Sequence, residues 1–156
     1  MDRAFVTWDP DVVRMDEVGK SPHPVLSKTG YYCLLAAKLD EAADHWADLD
    51  LLFVGGAHDS TMRAALLMPR DEHGKARDLA AAAGKELVVM IGQVTETTLA
   101  RVTRPFLDDV EACLALRNGA KVVQFPPDYQ QRRHLSVVNR GDFAPLAWRS
   151  LFRAEA

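Results

Sequence analysis

Residues Leu49–Leu67 read LDLLFVGGAHDSTMRAALL, and the fold turns on how that stretch is parsed. Leu51-Leu52-Phe53-Val54 is an apolar run too short for a helix and bounded by Asp50 and Gly55, which predicts a buried strand. Gly55-Gly56 then permits a sharp backbone turn, because glycine alone takes positive φ without steric cost. Asp59 or Ser60 is placed to cap a helix that runs towards Pro69, with Arg63 in its first turn. The mouth of such a unit gathers free backbone N–H groups and the positive end of a helix dipole, which suits an anion. An ordinary strand–helix joint with a solvent-facing arginine is the plainer reading of the same residues.

Working outward, Thr29–Leu35 (TGYYCLL) reads as a strand, and two strands this close in sequence pair antiparallel. Between them Lys38–Asp48 is either a short helix or a long hairpin connection; its Asp44, His45 and Asp48 read as a solvated acidic segment rather than a metal cluster. Upstream, Ala4–Trp8 forms a short edge strand ended by Pro10, Asp11–Val18 one helical turn, and Ser21–Pro24 a loop carrying a surface histidine, His23. Downstream, Asp71–Gly74 reads as a turn and Lys75–Ala83 as a helix stopped by Gly84. Glu86–Val94 (ELVVMIGQV) is a central strand covered on both faces, and Thr95–Thr103 a polar helix or turn. Pro105–Arg117 is a helix, with proline at its first position and Asn118-Gly119 at its end. Its core stripe is Leu107, Val110, Leu114 and Ala115, and Glu111 shares that face. A carboxylate there must reach a cleft, a partner or water, since unpaired burial is costly. Lys121–Phe125 is followed by a break at Pro126-Pro127, a basic segment Gln130–His134, and an apolar piece Ser136–Gly141.

The chain of 156 residues is 48% hydrophobic and 26% charged, which fits one globular domain, and its net charge of −3 argues against a strongly basic nucleic-acid coat. Charge is uneven: residues 117–156 hold seven Lys/Arg against three Asp/Glu, a basic quarter that offers one face to phosphates or reflects chance alone. Cys33 and Cys113 show no metal-type spacing and read as buried free thiols of a reducing cytoplasm. No apolar run has the length of a membrane span, so the expectation is a cytoplasmic protein with no membrane partner.

Placed in order, Gly30-Tyr31-Tyr32 on one strand, Phe53-Val54-Gly55 on its neighbour and Arg63 on the next helix resemble a GIY-YIG endonuclease domain. Glu111 on the helix after the third strand matches that family's metal-binding glutamate, and Asn139 in VVNRG its late asparagine. The resemblance implies an α/β (α+β) fold: a small, central, mainly antiparallel three-stranded sheet, Gly30–Leu35, Leu51–Val54 and Glu86–Val94, flanked by helices. It divides the single domain into an N-terminal extension (1–28), a GIY-YIG-like core (29–141) and a C-terminal tail (142–156). It implies a metal-dependent endonuclease that hydrolyses DNA phosphodiester bonds. Tyr32 would act on the attacking water, Arg63 would brace the phosphate, and Glu111 would hold one Mg2+ (or Mn2+). Gly55, Gly56, Arg132, Arg133, Asn139 and Arg140 would contact the nucleic acid. Loops, a homo-oligomer or a larger protein complex would supply specificity.

The chain departs from the family pattern at defined places. Phe53 stands where the second tyrosine is expected, Gly56 where a polar residue follows the motif, and Leu67 where a histidine or tyrosine follows the arginine by one helical turn. Two other readings therefore stand beside the first: a catalytically weakened module that binds nucleic acid or a protein, and an unrelated α/β domain with an anion pocket at Gly55-Gly56.

Overall fold

The computed structural model describes residues 1–126 and 128–153; Pro127 of the proline break and residues 154–156 of the expected tail lie outside them. Its strands are β1 (Asp2–Trp8), β2 (Val13–Arg14), β3 (Gly30–Asp40), β4 (His45–Ala57), β5 (Glu86–Thr97), β6 (Leu135–Gly141) and β7 (Arg149–Phe152). Its α-helices are α1 (Met62–Leu67), α2 (Asp71–Ala82) and α3 (Arg104–Arg117). All seven strands join one sheet in the order β4-β3-β5-β1-β6-β7, with β2 pairing on β5. Pairing is antiparallel except between β1 and β6, which run parallel from Asp2 opposite Leu135 to Trp8 opposite Gly141.

This overturns the expected small three-stranded sheet: the sheet is seven-stranded, mixed and curled into a half-barrel, and it dominates the fold. The curl is visible in the contacts of α3, which touches β4 at one end of the strand order and β7 at the other. In a flat sheet those strands would lie five spacings of about 4.8 Å apart, more than the roughly 21 Å length of the 14-residue α3. The four strands beyond the expected three are β1, β2, β6 and β7. Ala4–Trp8 was expected at an edge, yet β1 lies inside the sheet between β5 and β6.

β3 is buried on both faces from Gly30 to Ala37. Tyr31, Cys33, Leu35 and Ala37 pack on the side of α3, while Tyr32, Leu34 and Ala36 pack with Met62, Leu66, Ala76 and Ala80 of α1 and α2. The period of two in a strand sends the adjacent tyrosines to opposite cores. Lys38–Asp48 is not a helix but the end of a hairpin: β3 and β4 continue as a ladder to Asp40 opposite His45, closed by a turn at residues 41–44, with a bulge where Asp48 takes a φ of 51°. Two further local expectations are corrected. The cap of α1 is Thr61, whose side chain accepts from Ala64 N, not Asp59 or Ser60. Asp71–Gly74 is the first turn of α2 rather than a free turn, and Asp71 and Glu72 sit at its positive end. Of the helical turn expected within Asp11–Val18, Met15–Glu17 forms a 3-10 turn, preceded by the two-residue strand Val13–Arg14. Both cysteines are buried and free, and no helix among the described residues is long and apolar enough to cross a membrane.

Candidate functional site

β4 has β3 on one side only, and near its end the hairpin brings Tyr32 opposite Gly55 and Leu34 opposite Phe53. The two glycines open this edge on both faces. A Cβ at Gly55 would lie 2.5 Å from the Tyr32 hydroxyl, and one at Gly56 would lie 2.5 Å from Glu111 Oε1 and 2.6 Å from His58 Nε2. Any larger residue at either place would push a polar side chain away from the strand edge.

On the α2 face the Tyr32 hydroxyl lies 2.8 Å from His73 Nε2, and Arg70 Nη1 makes a long 3.5 Å contact to the same oxygen. His73 also bonds the Met68 backbone, which fits a proton on Nδ1 and leaves Nε2 to accept from Tyr32. Burial, then Arg70, holds His73 below the usual imidazole range, so the ring is neutral near pH 7. Burial likewise pushes Tyr32 up to about 12, with Arg70 pulling the other way. Phe53 completes the cluster: its ring centroid lies 5.8 Å from His73 and 6.1 Å from Tyr32, and the Arg70 guanidinium sits 5.4 Å from it.

On the α3 face Glu111 is only 6% exposed. Burial pushes its carboxyl up to about 7, against the hydrogen bond from Gln124 and the more distant Arg70 and Arg104. Gln124 ties the two faces together, donating to Glu111 Oε2 and accepting from Arg70 Nη2. It can do so because the chain after α3 runs along the free edge of β4, where Val122 N donates to Leu52 O at 2.7 Å. The His58 ring packs edge-on against Tyr31, 5.0 Å between centroids. Its Nε2 is buried and has no hydrogen-bond partner among the described residues.

Comparison with protein-family models, with curated proteins and with solved structures finds no match. The reading of the site therefore rests on its own geometry.

Of the residues singled out in the sequence, Tyr32, Gly55, Gly56 and Glu111 converge on this edge, and the others lie apart from it. Arg63 donates to Val18 O and, at 2.7 Å, to Ser21 O, so backbone carbonyls hold its guanidinium. Asn139 is buried, accepting from Trp8 Nε1 at 2.9 Å and donating to Ala147 O at 2.7 Å. Arg133 pairs with the fully buried Asp109 at 3.1 Å, and Arg140 lies 3.9 Å over Phe5 and pairs with Glu96 at 3.3 Å. Arg132 is exposed with no ion pair among the described residues. Sequence reading missed Arg70, His73, His58 and Gln124. The signal for the first two was Arg-Asp-Glu-His, an acidic first helical turn between an arginine and a histidine.

The donor set fits a divalent cation at Glu111. A buried carboxylate oxygen and an orphaned imidazole nitrogen face one glycine cradle, with room kept by the absent Cβ. A second group, Asp9, Asp11 and His23, has its ligand atoms within 4.8 Å of one another. There His23 Nδ1 accepts from Val25 N, so Nε2 carries the proton and bonds Asp11 at 3.1 Å; hydrogen bonding accounts for that cluster.

Proposed function

We propose that the chain is a metal-dependent phosphodiester hydrolase of GIY-YIG type acting on DNA. One observation carries the reading: Tyr32 with His73 and Arg70 from one face of β4, and Glu111 from the other, meet at the Gly55–Gly56 edge. Glu111 would hold a divalent ion, Mg2+ or Mn2+, which when bound supplies Lewis-acid polarisation of a phosphoryl oxygen. Tyr32 orients the attacking water. A phenol held near 12 is a poor base alone, but neutral His73 takes its proton as Tyr32 receives one from the water, and Arg70 stabilises the oxygen between them. Arg70 also takes the phosphate-bracing role that the resemblance gave to Arg63, with His73 one helical turn after it, as the family pattern asks. Exposed Arg132 and the basic final quarter supply the electrostatic track for a nucleic-acid backbone.

The test is nicking of supercoiled plasmid with Mg2+, Mn2+ or EDTA. Metal-dependent nicking that is lost in Glu111→Gln and falls at least roughly a hundredfold in Arg70→Ala supports the proposal. Full activity in Glu111→Gln, or none in the wild type, refutes it. Phe53 favours a second reading, a module that binds nucleic acid or a protein partner without cleaving. Its ring is fully buried and offers no hydroxyl beside His73, leaving Tyr32 as the sole motif tyrosine. Salt-dependent DNA binding without nicking would select that reading for nucleic acid.

A further inference from the structure

The cradle at Gly56 holds more than the carboxylate of Glu111. His58 Nε2 and Glu111 Oε1 lie 2.6 and 2.5 Å from the same point, the place a Cβ on Gly56 would occupy. The nitrogen is buried and has no hydrogen-bond partner among the described residues, whereas Glu111 Oε2, on the other side of the carboxylate, is bonded to Gln124. The imidazole is fixed by its edge-on contact with Tyr31, whose hydroxyl donates to Leu107 O at 2.8 Å on the same helix that carries Glu111. Where Nε2 carries no proton, its lone pair and the nearby carboxylate oxygen repel unless a cation lies between them. Gly56 keeps that space open.

Resting on the reading of Glu111 as a metal ligand, we propose that His58 Nε2 is a second protein ligand of the same ion. The resulting nitrogen–oxygen pair makes the site one for a first-row transition cation rather than for Mg2+, with Mn2+ as its paramagnetic probe. The chemical ground is ligand preference: Mg2+ is held through carboxylates, phosphates and retained waters, while imidazole suits first-row transition ions such as Fe2+, Ni2+ and Zn2+. This gives His58 a task that nothing in the motif resemblance assigns to it.

The experiment is Mn2+ titration of the full chain followed by electron paramagnetic resonance, with electron-spin-echo modulation to detect a directly bound 14N nucleus. Thermal melts confirm that His58→Gln and Glu111→Gln are folded. The expected result is that wild type binds Mn2+ more tightly than Mg2+ and shows 14N modulation. His58→Gln loses the modulation and binds Mn2+ roughly tenfold or more weakly. Mn2+ binding that needs Glu111 but shows no 14N modulation, and is unchanged in His58→Gln, overturns the role of His58 and leaves the proposed function standing. It would mean that a shared proton occupies the cradle. Mn2+ binding that is absent in wild type, or indifferent to Glu111→Gln, removes the metal premise of both.

Discussion

Replacing Glu111 by glutamine should make the metal-free protein more stable at alkaline pH, and the size of the gain follows from burial. The carboxyl is raised from an ordinary 4.5 to about 7, chiefly because α3 presses it against β4 away from water. A carboxyl with a raised folded-state pKa binds more protons in the native than in the unfolded chain between those two values. Its contribution to stability therefore falls as pH rises through that window. At about 1.4 kcal/mol per pH unit, the rise from 4.5 to about 7 costs the native state roughly 3 kcal/mol by pH 8. Glutamine keeps the side-chain volume, offers an oxygen to the Gln124 N–H and carries no charge. Urea unfolding in EDTA at pH 5 and pH 8 reads the effect. The variant should lie close to wild type at pH 5 and exceed it at pH 8 by about 2–3 kcal/mol, or roughly 5–10 °C in Tm for a chain of this size. Parallel pH profiles for the two proteins, or a variant less stable at pH 8, would show that Glu111 is solvated or paired and would refute the reasoning.

Arg63→Ala should lower stability by about 1.5–3 kcal/mol, because it strips the charged donor from Val18 O and Ser21 O; unchanged Mn2+ binding in the same variant separates this clamp from the site. Asn139→Ala leaves Trp8 Nε1 and Ala147 O without their partners and should cost about 2 kcal/mol or more in urea melts, with the salt dependence of DNA binding unaltered. A melt that matches wild type would return Asn139 to the nucleic-acid surface. Gly56→Ala places a methyl 2.5 Å from Glu111 Oε1, so metal-dependent nicking should drop about a hundredfold in a protein that stays folded. Tyr32→Phe keeps the ring in the core but frees His73 Nε2. Nicking should fall as sharply, with stability lowered by only about 1–2 kcal/mol, and retained nicking would remove Tyr32 from the chemistry.

The β3–β4 hairpin and α3 were legible because their signals are local. Apolar runs close in sequence pair most easily antiparallel, and Pro105 and Asn118-Gly119 bracket a helix by backbone constraints alone. The larger sheet was not legible. β1 pairs in parallel with β6, and nothing within either short segment marks a partner so far along the chain. β7 is four residues, too few for any periodicity to register. Within the site, Tyr32 and Glu111 could be found from strand and helix patterns. Arg70 and His73 were missed although Arg-Asp-Glu-His marked the helix start, because Gly74 made the opening turn of α2 read as a free turn and so hid which arginine faces the tyrosine. The orphaned nitrogen of His58 is a property of packing and has no sequence signature.

The placing of β1 between β5 and β6 has a consequence for how the chain reaches its native state. The hairpin can close on its own in about 1–10 μs. The Asp2–Trp8 ladder must wait for Glu86–Thr97 on one side and for Leu135–Gly141 on the other. A folding intermediate in which β5 has docked and β6 has not holds a sheet with an unpaired row of N–H and C=O groups along β1, a surface that recruits any neighbouring strand. Residues 135–141 therefore act as a closing zip as well as a strand. A destabilising change there should appear first as aggregation of nascent or refolding chains, before it is visible in the melting of protein that has already folded.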